Sequence, residues 1–310
     1  FVTHNMNGAV VGVQPGGGEG RSGTAPKGGG PLALLRLLAA RPADAARRAV
    51  ESFGRDAGGD AGHPAPHGAG AGHLAPHGAG AGRSAPRGAD ASRLAASLGA
   101  SAGGSAPGRT DGQSATVPEG GGSAPDPALA ALQRWAQAGQ RGALAEACAR
   151  FAAANPAGRQ RVLAGPTGQL DVYATLAREA VLCLAGDGAA GDDDRLVQLA
   201  AALAVGSRAV WPAGARALAE SLPEAVRDRI AVAAEWTPAP AHADVAVVHA
   251  DAGGVGDAAA RLAARGGPIV AIAALPPGAA EAPLERLVTE RALSVNTAAA
   301  GGNASLMAIG

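Results

Sequence analysis

From Pro127 onward, apolar residues recur first at helical spacing and then in short unbroken runs. PALAALQRWAQAGQRGALAEACARFAAANP predicts two helices, with Leu129, Leu132, Trp135 and Ala136 on one face of the first and Leu144, Cys148 and Phe151 on one face of the second. AGPTGQLDVY follows as a turn and an extended segment. AVLCLAG, 180–186, then reads as a buried strand, and 195–205 as a helix carried by Leu196, Leu199 and Leu203. RAVW at 208–211 is a short strand, 213–222 a helix, DVAVVHA at 244–250 a strand, 255–265 a helix and 268–274 a strand. Strand and helix alternate, so residues 127–293 are expected to form an α/β, Rossmann-like domain with a mostly parallel sheet.

The two ends of the chain follow other patterns. Residues 8–14, GAVVGVQ, predict a buried strand; PGGGEGRSGTAPKGGGP follows at 15–31, and 32–41 resumes as an amphipathic helix, with more helix at 43–53. A glycine-rich loop between a strand and a helix is an anion-site pattern, because its backbone N–H groups can approach a ligand with no Cβ in the way. It is not a P-loop, since G-x-x-x-x-G-K-[ST] is absent. At the other end, 294–310 is SVNTAAAGGNASLMAIG and carries no charged side chain. It predicts a strand over 293–297, a tight turn over 298–302 and a return strand over 303–309, a β-flap that needs a partner surface.

Between the glycine loop and the α/β domain lies a stretch, 54–126, whose only large aliphatics are Leu74, Leu94, Leu98 and Val117. Ordering each residue costs about 1–2 kcal/mol, with little apolar burial to offset it, so a disordered linker is expected. A ten-residue repeat starts at Gly62, Gly72 and Gly82 and carries His63, His67, His73 and His77. Pro64, Pro66 and Pro76 prevent a helix that would put each His pair on one face, and no carboxylate or Cys completes a shell, so no metal site is expected.

Composition narrows the function classes. Lys plus Arg and Asp plus Glu are both 26, which removes the electrostatic footprint of a nucleic-acid binder. Gly numbers 48 and Pro 22, against three Phe, three Trp and one Tyr, so one moderate core is expected beside much irregular chain. Cys148 and Cys183 have neither C-x-x-C nor metal-ligand spacing and are expected to be buried free thiols. With no basic-then-apolar leader, the expected location is cytoplasmic. A glycine motif starting within eight residues of Phe1 reads as a truncated N-terminus. Gly253, Gly254 and Gly256 follow a strand and precede a helix, but G-G-x-G is not the dinucleotide fingerprint and is expected to be a plain βα turn.

The end sequence ERALSVNTAAAGGNASLMAIG resembles the C-terminal motif of the long forms of the proline utilization A family, bifunctional flavoenzymes that oxidise proline to glutamate. NMNGAVVGVQPGGGEGRSGTAPKGGGPLALLRLLAARP is similar to the end of that family's aldehyde dehydrogenase domain, and AGPTG, VLCLA and QLAAALAVGSRAVWP to its non-catalytic C-terminal domain. The resemblance implies a division into 1–53, the stub of an aldehyde dehydrogenase domain; 54–126, the linker; 127–293, an aldehyde-dehydrogenase-like domain; and 294–310, the flap. It implies that Gly29 and Gly30, after Lys27, donate backbone N–H groups to the α-carboxylate of glutamate γ-semialdehyde, charge-assisted bonds worth roughly 1.5–3 kcal/mol each. It places Ser294, Val295, Asn296, Thr297, Asn303, Leu306 and Met307 on a flap over a tunnel between two catalytic sites.

NAD and FAD would serve the parent protein, with neither bound by this piece alone. The nucleophilic Cys and the other catalytic residues would lie upstream. Partners would be those upstream domains of the same chain, with a homo-oligomer left open. The sequence departs from the family at Gly16, where Phe is usual, and at Ala33, where an aromatic is common. The alternative is a non-catalytic structural or interaction module, or the product of a decayed gene.

Overall fold

A computed structural model describes residues 14–24, 26–38, 41–54, 126–165, 169–236 and 243–296, with the side chain of Asn296 left out. The chain divides into two units, 1–55 with 120–310, and 56–119; all described residues belong to the first. The His repeat, almost all of the expected linker, most of the strand expected at 8–14, and Thr297, Asn303, Leu306 and Met307 lie outside the described residues.

The sequence patterns account for the helices. Helix α1 is Ala45–Ser52. Helix α2, Pro127–Ala138, starts at Asp126, whose carboxylate accepts from the Ala128 N–H at 2.8 Å, with Pro127 in the first turn where no N–H is needed. Its buried face is Ala128, Leu129, Leu132 and Ala136. Trp135, expected on that face, is only half-buried and lies under the Arg141 guanidinium at 5.0 Å. Helix α3, Gly142–Ala154, buries Leu144, Cys148 and Phe151 as its spacing predicts.

Helix α4 spans Gly188–Val205 and so begins seven residues before the expected start at Arg195. Gly191 lets the helix pass the preceding loop, since a Cβ there would sit 1.8 Å from the Gly186 carbonyl oxygen. The helix ends at Gly206, φ 91°, a left-handed cap. The segment expected as one helix over 213–222 is a 3-10 turn followed by α5, Arg216–Glu220; α6 is Glu224–Arg227 and α7 is Ala252–Ala263. The helix expected at 32–41 is reduced to a 3-10 turn, Ala33–Leu37, because Leu34 and Leu37 face solvent and supply no packing to extend it.

Among the described residues, eight strands form two sheets. β3 (Ala180–Leu184), β4 (Arg208–Pro212), β5 (Ile230–Ala233), β6 (Val245–His249) and β7 (Ala271–Leu275) make an all-parallel sheet of order β5-β4-β3-β6-β7. The chain enters at the centre, steps outward, then crosses back to β6, a doubly wound Rossmann-like arrangement. β3 and β6 are buried along their whole length, which is why they read as continuous apolar runs. Val181, Cys183, Trp211 and Val247 pack with α2, α3 and α4; Leu182, Ala246 and Val248 pack with Ala258 and Leu262 of α7.

The second sheet is antiparallel, in the order β1-β2-β8, from β1 (Gln160–Leu163), β2 (Gln169–Ala177) and β8 (Val288–Asn296). β8 runs unbroken from Val288 and pairs along its full length with β2, Ser294 opposite Asp171 and Asn296 opposite Gln169. The strand expected at 293–297 is therefore the end of a longer one. The extra length carries Thr289, Glu290 and Arg291, polar residues that mask an apolar strand pattern.

Candidate functional site

The glycine loop clasps the edge strand β8 and reaches both of its faces. Within the loop, Gly16 and Gly28 exchange backbone hydrogen bonds at 3.0 and 2.7 Å, and Glu19 bridges to Thr24. Gly17, Gly20 and Gly29 have φ of 146°, 75° and 75°, values that side-chain-bearing residues rarely adopt. The Lys27 ammonium donates back to the Gly17 carbonyl at 2.9 Å.

Successive side chains of a strand point to opposite faces. On one face of β8, Thr289 Oγ1 and Arg291 Nη1 donate to the two oxygens of Glu19 at 2.5 and 2.6 Å, and Arg178 Nη1 approaches Oε1 at 3.3 Å. Burial pushes the Glu19 carboxyl up, but the Thr289 hydrogen bond and the charges of Arg178 and Arg291 outweigh it and hold the group below its ordinary value. The loop is pinned there by a charged cluster.

On the other face lies Glu290, 1% exposed. Its Oε2 accepts from the backbone N–H of Lys27 at 2.6 Å and its Oε1 from the Tyr173 hydroxyl at 2.7 Å, with the Leu32 backbone N–H a further donor. Burial pushes this carboxyl up, more than the Tyr173, Lys27 and Leu32 donors lower it. Burial, and then the adjacent Glu290 charge, raise the Tyr173 phenol, so it stays protonated and remains the donor. Gly30 is buried against this group: a Cβ would meet Glu290 Oε1 at 2.6 Å and the Lys27 carbonyl oxygen at 3.1 Å.

Four residues further along β8, Ser294 Oγ accepts from Gln14 Nε2 at 3.0 Å and Gln169 Nε2 at 2.8 Å. The same two amides donate to the buried Asp171 carboxylate at 3.0 and 2.8 Å. A cavity of about 170 Å³ opens here between Gln14, Gly16, Gly17, Lys27, Asp171 and Ser294.

Of the residues expected at the site, Gly30 and Ser294 both meet this loop–strand clasp. Gly29 is exposed, Val295 is half-buried opposite Leu170, and Asn296 ends the strand. The Gly30 N–H donates to the Lys27 carbonyl at 3.1 Å, so the backbone donors on the carboxylate are Lys27 and Leu32. A Cβ added at Gly16 would meet nothing within 4 Å. Glu290, Tyr173, Asp171 and Glu19 were not anticipated. The available signal was the chain's only tyrosine.

A second concavity, about 500 Å³, lies at the carboxyl ends of β3 and β6, where the strand order reverses. Asp187, Asp194, His249, Asp257 and Arg261 line it. Asp251 Oδ1 takes the Gly254 N–H at 2.8 Å, which makes the glycine run the capped first turn of α7. Both cysteines are buried, and burial raises each thiol to about 12, so neither is an activated nucleophile. Among the described residues there is no cluster of three His, Cys, Asp or Glu able to hold a metal, and no helix long and apolar enough to cross a membrane.

No protein-family model matches the chain. Curated relatives do. The chain is 40% identical over 312 residues to the bifunctional protein PutA of Salmonella typhimurium, covering 100% of this chain and 19% of the relative. It is 39% identical over 312 residues to the Escherichia coli protein of the same name, with the same coverage. A crystal structure of a Bradyrhizobium japonicum proline utilization A mutant matches 48% of this chain and 19% of its own, at 16% identity and a TM-score of 0.36. The chain thus spans about a fifth of the length of the curated relatives it matches. Along its entire length, this chain is similar to one part of the bifunctional PutA proteins.

Proposed function

We propose that this chain is the C-terminal part of a bifunctional proline-catabolic enzyme, a proline dehydrogenase joined to an NAD-dependent glutamate-semialdehyde dehydrogenase. In this reading the glycine loop is the anchor for the aldehyde substrate's α-carboxylate. Residues 127–293 and the flap cover the passage through which the intermediate moves. The observation that carries the reading is that the loop holds a carboxylate on backbone N–H groups, in a chain 40% identical to a bifunctional PutA along its entire length.

Catalysis would belong to domains outside this chain, since both of its thiols are buried and held protonated. NAD and FAD are assigned to those domains as well. The residues at the sheet's reversal point do not fit a dinucleotide: Asp251 already caps the α7 N-terminus, and Asp187 and Asp194 stand beside it, where a pyrophosphate would meet carboxylates. The upstream domains would cover Leu34, Leu37 and Leu38, which are 71%, 80% and 49% exposed.

The test is the protein carrying this chain with its upstream sequence. Proline-dependent reduction of NAD is expected, and Gly30→Val is expected to raise KM for the semialdehyde. Deleting 294–310 is expected to introduce a lag before glutamate forms from proline. An absence of proline-dependent turnover in the unmodified protein would remove the reading.

A further inference from the structure

Glu290 is placed as a bound ligand is placed. Its carboxylate is buried, and its hydrogen-bond partners are neutral groups: the Lys27 and Leu32 backbone N–H and the Tyr173 hydroxyl. The loop and Tyr173 have contacts besides this carboxylate: the Lys27 ammonium donates to the Gly17 carbonyl, Gly16 and Gly28 exchange backbone hydrogen bonds, and the Tyr173 ring meets Phe53 at 5.1 Å. Space for the occupant comes from Gly30, whose missing Cβ would stand 2.6 Å from Glu290 Oε1. The backbone ladder of β8 with β2 makes no use of this side chain.

We infer that Glu290 is the resident ligand of a carboxylate receptor formed by the loop and Tyr173, latching β8 to the loop, and that a free carboxylate of the same shape can replace it. This goes beyond the proline-oxidising reading and stands without it. Where the loop does serve an aldehyde acid, substrate and Glu290 compete for one set of donors.

Propionate carries the same two carbons and carboxylate that Glu290→Gly removes. For the Glu290→Gly chain, Tm is expected to climb with the logarithm of propionate concentration, as mass action requires, beyond the effect of sodium chloride at equal ionic strength. Wild type, its receptor filled, is expected to show no such climb. Equal responses in the two proteins, or chloride matching propionate, would overturn the inference. Should Glu290→Gly fail to fold, Glu290→Gln answers instead: the Lys27 amide proton is expected to move upfield when its charged acceptor becomes neutral, and an unmoved resonance would overturn the latch. Neither readout depends on proline turnover, so the two readings fail separately.

Discussion

Lys27 and Glu290 stand 263 residues apart in the chain, yet the backbone nitrogen of one lies 2.6 Å from a carboxylate oxygen of the other. That bond ties the glycine loop to the edge of the antiparallel sheet. Gly30 is what permits it. A Cβ at Gly30 would meet Glu290 Oε1 at 2.6 Å and the Lys27 carbonyl at 3.1 Å. Gly30→Ala is therefore expected to cost about 1–3 kcal/mol, as for other overpacked sites, read as a lowered denaturant midpoint with unchanged slope. Gly16→Ala, with nothing within 4 Å of the added atom, is the control and should stay close to wild type.

The two carboxylates on opposite faces of β8 titrate in opposite directions. Glu290 is raised from an ordinary 4.5, mainly by burial. A raised carboxyl binds its proton more tightly folded than unfolded, so its contribution is full below the ordinary value and is lost as pH climbs through the folded one. Glu19 is held below its ordinary value, so its contribution is present above that value and is lost as pH falls through the lowered one. Glu290→Gln is expected to flatten the decline of stability on the alkaline side of 4.5, and Glu19→Gln the decline on the acid side. Denaturant titrations from acid to neutral pH separate them. Glu285, raised by burial against the opposing Arg41 charge, moves with Glu290, so each variant must be compared with wild type at every pH.

Cys148 and Cys183 are fully buried, with thiols pushed up to about 12 by burial. Only thiolate reacts with alkylating agents, so neither should be modified in the native protein at neutral pH, and both should react at once in denaturant. Mass spectrometry after a timed iodoacetamide pulse counts the adducts. Rapid native labelling would contradict the packing of α3 and β3.

Helix α4 depends on a single close approach. An added Cβ at Gly191 would stand 1.8 Å from the Gly186 oxygen, a backbone atom that cannot rotate away. Gly191→Ala is expected to destabilise by about 3 kcal/mol or to unwind the first turns of α4, because overpacking against backbone has no rotamer escape. Gly256→Ala, inside α7 with open space around it, should be neutral or slightly stabilising through its better helix propensity. Thermal melts of the two variants test the contrast.

Local chemistry legible in the sequence covered most of the parallel sheet. AVLCL and VAVVH are apolar throughout because both faces of β3 and β6 are covered, and Asp126-Pro127 announces α2 by cap and fixed φ. The family resemblance pointed to the glycine loop and to Ser294. What went unread was β1 and the first half of β8, because Gln160, Arg161, Thr289, Glu290 and Arg291 break the apolar pattern that marks a strand, and the edge strand β5, whose four residues, IAVA, are too short a run to mark one. The first half of β8 takes its partners from a segment more than a hundred residues away, such as Tyr173 against Glu290.

The sequence by itself determined that the loop must bend where only glycine is at ease, that β3 and β6 must be buried, and that neither thiol stands in a metal or redox motif. Only the tertiary structure decided which carboxylate the loop holds. A backbone N–H attracts any acceptor within reach; that Glu290 is the acceptor follows from β8 pairing with β2, which brings it beside Tyr173, and from the loop closing over that edge.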